Sequence, residues 1–223
     1  MNKKEAIMEY EKILLGHINY APTHFFCNAD AVNKEIAIAI FKYAICNVLG
    51  WNFEKMMQLF DKKIIKDMKL DLILPLIKLP EEFGGDIDPV FFASLIFPER
   101  ISYNPDKLCL ETYKRLLSGR KKGISKNFFR GDDGAKRAKI CLSYVLRNLY
   151  TFSSIEDIYE MFSDGRGRKL LSEVYMTNAL ENFESPVDLL HESLAESQQD
   201  DFLFHYYKFR YCYKKKKSNA SDE

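Results

Sequence analysis

The chain has 223 residues, 47% of them hydrophobic and 29% charged, with 33 Lys and Arg against 32 Asp and Glu. That balance is the one expected of a globular protein with a sizeable core, and it excludes a disordered chain. No apolar run reaches the ~18 residues that a membrane span needs, and the start, Met-Asn-Lys-Lys-Glu, lacks the apolar stretch of a signal peptide.

The net charge of +1 hides segregation along the chain. Residues 101–150 carry 12 basic and 4 acidic side chains, residues 151–204 carry 3 and 12, and residues 205–223 carry 6 and 2. Such asymmetry points to an anionic partner, or to basic and acidic parts that face each other within the fold. Cysteines at 27, 46, 109, 141 and 212 form no Cys-x-x-Cys pair, so free thiols in a reducing cytoplasm are the simplest reading.

Residues 3–15 place Ala6, Ile7, Tyr10, Ile13 and Leu14 on one helical stripe, and Gly16 is a fitting stop. Residues 33–49 read as a helix apolar on nearly every face, hence central, closed by Gly50. Asn52 caps a short helix that turns Phe53, Met56, Met57 and Phe60 inward. A third helix is expected near 67–78, across the apolar run at 70–79 that Pro75 interrupts. A fourth starts at Asp88-Pro89, where an N-cap acid precedes a proline at the first helical position. Asn104-Pro105 repeats that grammar for a connecting helix that ends at Gly119.

The pattern then returns. Residues 37–51 face residues 138–152, with Tyr43 against Tyr144, Asn47 against Asn148 and Trp51 against Phe152. The pair Phe25-Phe26 matches Phe128-Phe129, and Asp88-Pro89 matches Ser185-Pro186. Ser153 and Glu156 have capping-box spacing, and a third helix is expected at 168–181. Only the alternation of Phe202, Phe204 and Tyr206 hints at a strand, and residues 214–223 read as a fraying tail.

The fold class is therefore all-α, with two tandem copies of a four-helix repeat. The organisation is an N-terminal helix (1–21), repeat 1 (22–100), a basic connector (101–123), repeat 2 (124–200) and an aromatic and basic tail (201–223). With its aromatic pair, its helix ending in an aromatic turn and its last helix opening on a small residue and proline, the chain resembles a tandem helical repeat of unknown function found in Firmicutes proteins. The resemblance spans roughly residues 22–200 and carries no catalytic or binding residue. Asp88, in place of a small residue, makes the first copy the less typical.

Chemistry is sparse. Arg120, Lys121, Lys122, Lys126 and Arg130 lie in a glycine-containing stretch beside Phe128 and Phe129, and Lys136, Arg137 and Lys139 continue it into a helix. Cations with aromatics nearby suit phosphate contact and base stacking, while the plain alternative is a solvated linker over two core phenylalanines. Arg166 and Arg168, in Gly-Arg-Gly-Arg, fit a phosphate at a helix start or, more simply, a tight turn. These ten residues are the candidate nucleic-acid contacts.

His17, His24 and Cys27 give at best three of the four ligands a zinc site wants, and His205 with Cys212 gives fewer. Asp132-Asp133 and the acids at 192–201 show no catalytic spacing. The reading is a non-enzymatic protein with no cofactor and no metal. Its partner is nucleic acid through the connector and tail, with an adaptor that binds a protein partner through a groove between the two repeats as the alternative. A helix-turn-helix outline recurs at 33–60 and 136–162. However, its second copy presents Glu156, Asp157 and Glu160 and no base, which a phosphate backbone would repel.

Overall fold

The computed structural model describes residues 2–25, 30–80, 87–131, 133–152, 154–163 and 165–219; within these, the side chains of His24, Asp30, Ile155, Ser163 and residues 209–219 are not described. Among the described residues the chain is helical and contains no strand. It divides into two compact units, Met1–Leu108 and Cys109–Glu223.

The first unit opens with α1 (Lys3–Leu14), started by a capping box. Asn2 Oδ1 accepts from the Lys4 and Glu5 N–H groups, and the Asn2 N–H donates to Glu5 Oε2 at 2.9 Å. Its buried stripe is Ala6, Tyr10 and Ile13, and it closes on Gly16 at φ 75° with His17 N–H bonded to Lys12 O. α2 (Asp30–Lys42) runs into a π-turn at Tyr43–Val48. Together they bury Ile36, Ala37, Ile40, Phe41, Ala44 and Ile45, as a centrally placed helix should. Gly50, at φ 62°, closes the segment.

α3 (Phe53–Leu59) is capped by Asn52, and α4 (Lys62–Asp67) by Asp61. α5 (Pro89–Ile96) starts on Asp88, whose buried carboxylate accepts from the Val90 N–H at 2.9 Å. It brings Phe92 against Phe41 and Phe60, each ring centroid 5.1 Å away. Full burial of one such ring contributes roughly 1.5–3 kcal/mol.

The division between units falls within α6 (Pro105–Leu117), which Asn104 caps at the Lys107 N–H. In the second unit α6 buries Cys109, Thr112, Tyr113 and Leu116, and it closes on Gly119 at φ 71° with Arg120 N–H on Arg115 O. α7 (Gly134–Asn148) buries Arg137, Ala138, Cys141, Leu142 and Val145. α8 (Ile155–Ser163), α9 (Arg166–Glu173) and α10 (Pro186–Ser193) follow, with Ser185 capping α10 at the Asp188 N–H. α11 (Glu196–Asn219) packs on α8 and α10 through Phe202, which sits 4.5 Å from the Tyr159 ring.

Two expectations need correction. No α-helix fills the expected range 67–78, and α9 covers only the first part of the expected 168–181. α4 ends before Lys69, which turns left-handed at φ 54°, and two 3-10 turns (Leu70–Leu72, Leu74–Leu76) carry the chain round Pro75. α9 likewise ends before Tyr175 at φ 59°, and a 3-10 helix covers Thr177–Asn182. The hint of a strand at 202–206 is helix, and Phe202 and Tyr206 stack 5.9 Å apart because they are four residues apart on one face. The polar tail is helical as far as Asn219. Ser153, Phe26, Cys27, Asp132 and residues 220–223 lie outside the described residues, as do the side chains of His24 and Cys212.

Candidate nucleic-acid interface

The basic connector and the loop that continues it to residue 130 are held at both ends of their exposed stretch, 120–127. Its N-terminal end is the glycine closure of α6 at Gly119. Its C-terminal end is the turn at residues 128–130, whose three carbonyls are each taken by a side chain. Arg137 Nε donates to Phe128 O and Arg137 Nη2 to Arg130 O, both at 2.5 Å, while Asn182 Nδ2 donates to Phe129 O at 2.5 Å. Gly134 makes the close approach possible, since a Cβ there would stand 2.3 Å from Phe129 O. Both phenylalanines are core, packed edge to face at 4.9 Å, and offer no stacking surface.

The ten predicted contacts separate into two groups. Arg137 is buried and committed to the turn. Arg130 forms a two-point pair with Glu181 at 2.6 and 2.9 Å, which holds the Glu181 carboxyl below its ordinary range. Lys139 pairs with Glu192 at 2.6 Å and Arg166 with Glu160 at 3.2 Å. Lys121 and Lys136 also have interactions within the chain. Arg120, Lys122, Lys126 and Arg168 remain exposed and unpaired among the described residues, and the first three lie within seven positions of each other on the connector.

One cation escaped the sequence reading. Arg147, in the last turn of α7, is exposed and unpaired among the described residues, and it lines a cleft of about 500 Å³ with Tyr150, Phe152, Ser154 and Gln198. A second hollow of about 410 Å³ shares Ser143, Arg147 and Ser193. The signal available in the sequence was a lone arginine in the last turn of a helix whose other cations lie at its start. The outer face of α8 is acidic, with Glu156, Asp157 and Glu160 all exposed.

Among the described residues no group of three or more His, Cys, Asp or Glu is placed to hold a metal ion. No single described helix is long and apolar enough to cross a membrane.

Residues 6–79 match a family whose description is "Protein of unknown function" (DUF4046). The match runs from α1 through the second 3-10 turn and stops short of α5. No curated protein and no solved structure matches the chain.

Proposed function

We propose that this is a non-enzymatic protein that binds nucleic acid through the basic connector. The observation that carries the reading is where unpaired charge is left. In the second unit Lys114, Arg130, Lys139 and Arg166 are matched to acids, while Arg147 and Arg168 stand unmatched among the described residues but singly, on other elements. On the connector, Arg120, Lys122 and Lys126 have no acid to match them among the described residues. A stretch anchored at both ends that leaves cations unneutralised suits a polyanion, and phosphate contacts are the sequence-independent source of affinity for nucleic acid. The acidic face of α8 makes it a poor groove-reading helix, so binding is through the backbone and tolerant of sequence.

The test is an oligonucleotide titration across salt concentrations, with the chain and with Arg120→Ala/Lys122→Ala/Lys126→Ala. The wild-type chain gives a negative slope of log affinity against log salt, and losing three contacts flattens it by roughly 2–3. No binding at low salt, or an unchanged slope in the variant, would count against the reading.

A protein partner is the second reading. Leu203, Phe204 and Tyr207 stand exposed together on α11, the last two by 67% and 64%, and an apolar helix face of that kind suits helix recognition.

We also infer that the chain contains two copies of one helical unit. Paired internal details support this. Tyr10 donates to Met68 O and Tyr113 to Val174 O, and the residue after each carbonyl, Lys69 or Tyr175, is left-handed. Gly16 and Gly119 close the tyrosine-bearing helices in the same way. The free state of the described thiols, Cys46, Cys109 and Cys141, suits a reducing compartment such as the cytoplasm.

A further inference from the structure

In the second unit Cys109 on α6 and Cys141 on α7 point their sulfurs at each other, Sγ to Sγ 3.8 Å, and both residues are fully buried. Under the repeat alignment their places in the first unit belong to Ala6 and Ile40, which are plain core positions, so packing does not require a thiol at either. Between the two cysteines lie 31 residues, and that loop contains the exposed basic stretch of the connector with Arg120, Lys121, Lys122 and Lys126.

We infer that Cys109 and Cys141 are a redox pair whose disulfide ties the two helices flanking the connector and so sets how freely the connector moves. Its bearing on binding rests on the connector being the nucleic-acid surface. The sulfurs must close from 3.8 Å to about 2.05 Å, a movement on the scale of side-chain rotation with slight helix approach. A small peroxide suits so enclosed a site. The thiolate of one cysteine attacks the peroxide and takes one oxygen to become a sulfenic acid, releasing hydroxide, which takes up the proton that thiol gave up and becomes water. The sulfur of the second thiol then displaces water and forms the S–S bond. Two electrons pass from the sulfurs to the peroxide O–O bond, and the products are the disulfide and two waters.

Burial keeps the Cys141 thiol protonated well above its ordinary range, so the closed unit resists oxidation. The pair therefore responds to sustained oxidant, as local opening exposes it, and not to brief pulses. Once formed, the bridge constrains a long loop, which stabilises the unit chiefly by restricting its unfolded state.

The experiment uses the full chain, reduced or treated with hydrogen peroxide, beside Cys109→Ser and Cys46→Ser variants. Peptide mapping of the oxidised chain is expected to show residues 109 and 141 joined, also in Cys46→Ser. Trypsin cuts the reduced chain after Arg120, Lys121 or Lys122 into fragments that separate without reductant. The oxidised chain is cut more slowly, and its fragments stay joined until reductant is added. Its melting temperature rises by roughly 7–15 °C, and Cys109→Ser loses all these effects. Oligonucleotide affinity rises several-fold on oxidation, because a restrained connector loses less freedom on binding.

Failure of the 109–141 link under conditions that oxidise Cys46 would overturn the proposal, as would a link that leaves trypsin cutting and melting unchanged. If oligonucleotide binds neither redox form, the binding reading fails alone, and the link, the cutting pattern and the melting shift still decide the pair. An oxidised chain that passes those three tests yet binds no differently would refute the control of binding.

Discussion

Tyr10, Tyr113 and Tyr159 are all buried, yet their hydroxyls meet different surroundings. Tyr10 donates to Met68 O at 2.6 Å and Tyr113 to Val174 O at 2.7 Å, while the Tyr159 hydroxyl has no partner among the described residues. The same substitution should therefore change sign with position. Tyr10→Phe and Tyr113→Phe each leave a buried carbonyl unpaired and should cost about 1–2 kcal/mol in urea unfolding. Tyr159→Phe removes an unsatisfied hydroxyl and should be neutral or stabilising by up to about 1 kcal/mol. A clear loss at 159 would mean that its hydroxyl is satisfied after all. Alkali extends the test. Burial raises all three tyrosines above the ordinary 10.0, Tyr159 to about 12. An unfolded tyrosine ionises near 10, so the neutral folded form is favoured fully below that pH and loses its advantage as pH rises through the folded value. The urea midpoint should fall from pH 10 upward, and Tyr159→Phe should make the fall between 10 and about 12 shallower by that one residue's share, leaving the share of Tyr10 and Tyr113. The sequence placed Tyr10 on a core stripe, but a partner carbonyl 58 residues away is invisible to spacing.

At the scale of single elements, helix starts were far more legible than helix ends. Asn52, Asp88, Asn104 and Ser185 cap helices where the sequence places them, because a short polar side chain followed by a helix former has a local physical meaning. Gly16 and Gly119 were readable as stops for the same local reason. Lys69 and Tyr175 were not, since neither residue type signals positive φ, and the expected helices ran straight through both. A left-handed non-glycine residue costs about 1–2 kcal/mol. Lys69 is exposed and Tyr175 is 54% exposed, so replacing either forfeits little packing. Lys69→Gly and Tyr175→Gly should each stabilise the protein by roughly 0.5–1 kcal/mol once the greater freedom of glycine in the unfolded chain is counted. Thermal melts should show both variants shifted upward. A downward shift would mean that the side chains hold more in place than their exposure implies.

Across the whole molecule, the charge run at 120–139 was legible, but which of its cations are available was not. Glu181 and Glu192 reach Arg130 and Lys139 from more than 50 positions away, and Arg137 turns inward to hold a loop, so only tertiary structure separates paired charge from unpaired. The same limit applies to boundaries. The family match ends at residue 79, whereas the first compact unit runs to Leu108 and depends on α5. Phe91, Phe92 and Ile96 of α5 are buried in the core cluster that also holds Phe41 and Phe60. At roughly 1.5–3 kcal/mol for each buried side chain, these three together approach the whole stability of a small domain. A fragment of residues 1–104 should therefore unfold cooperatively in urea with helical circular dichroism. A fragment of residues 1–79 should lose the cooperative transition and bind a hydrophobic dye, because Phe41 and Phe60 lose the ring that covers them. Cooperative unfolding of the shorter fragment at the same midpoint would show that the matched segment is a complete folding unit and that α5 merely leans on it.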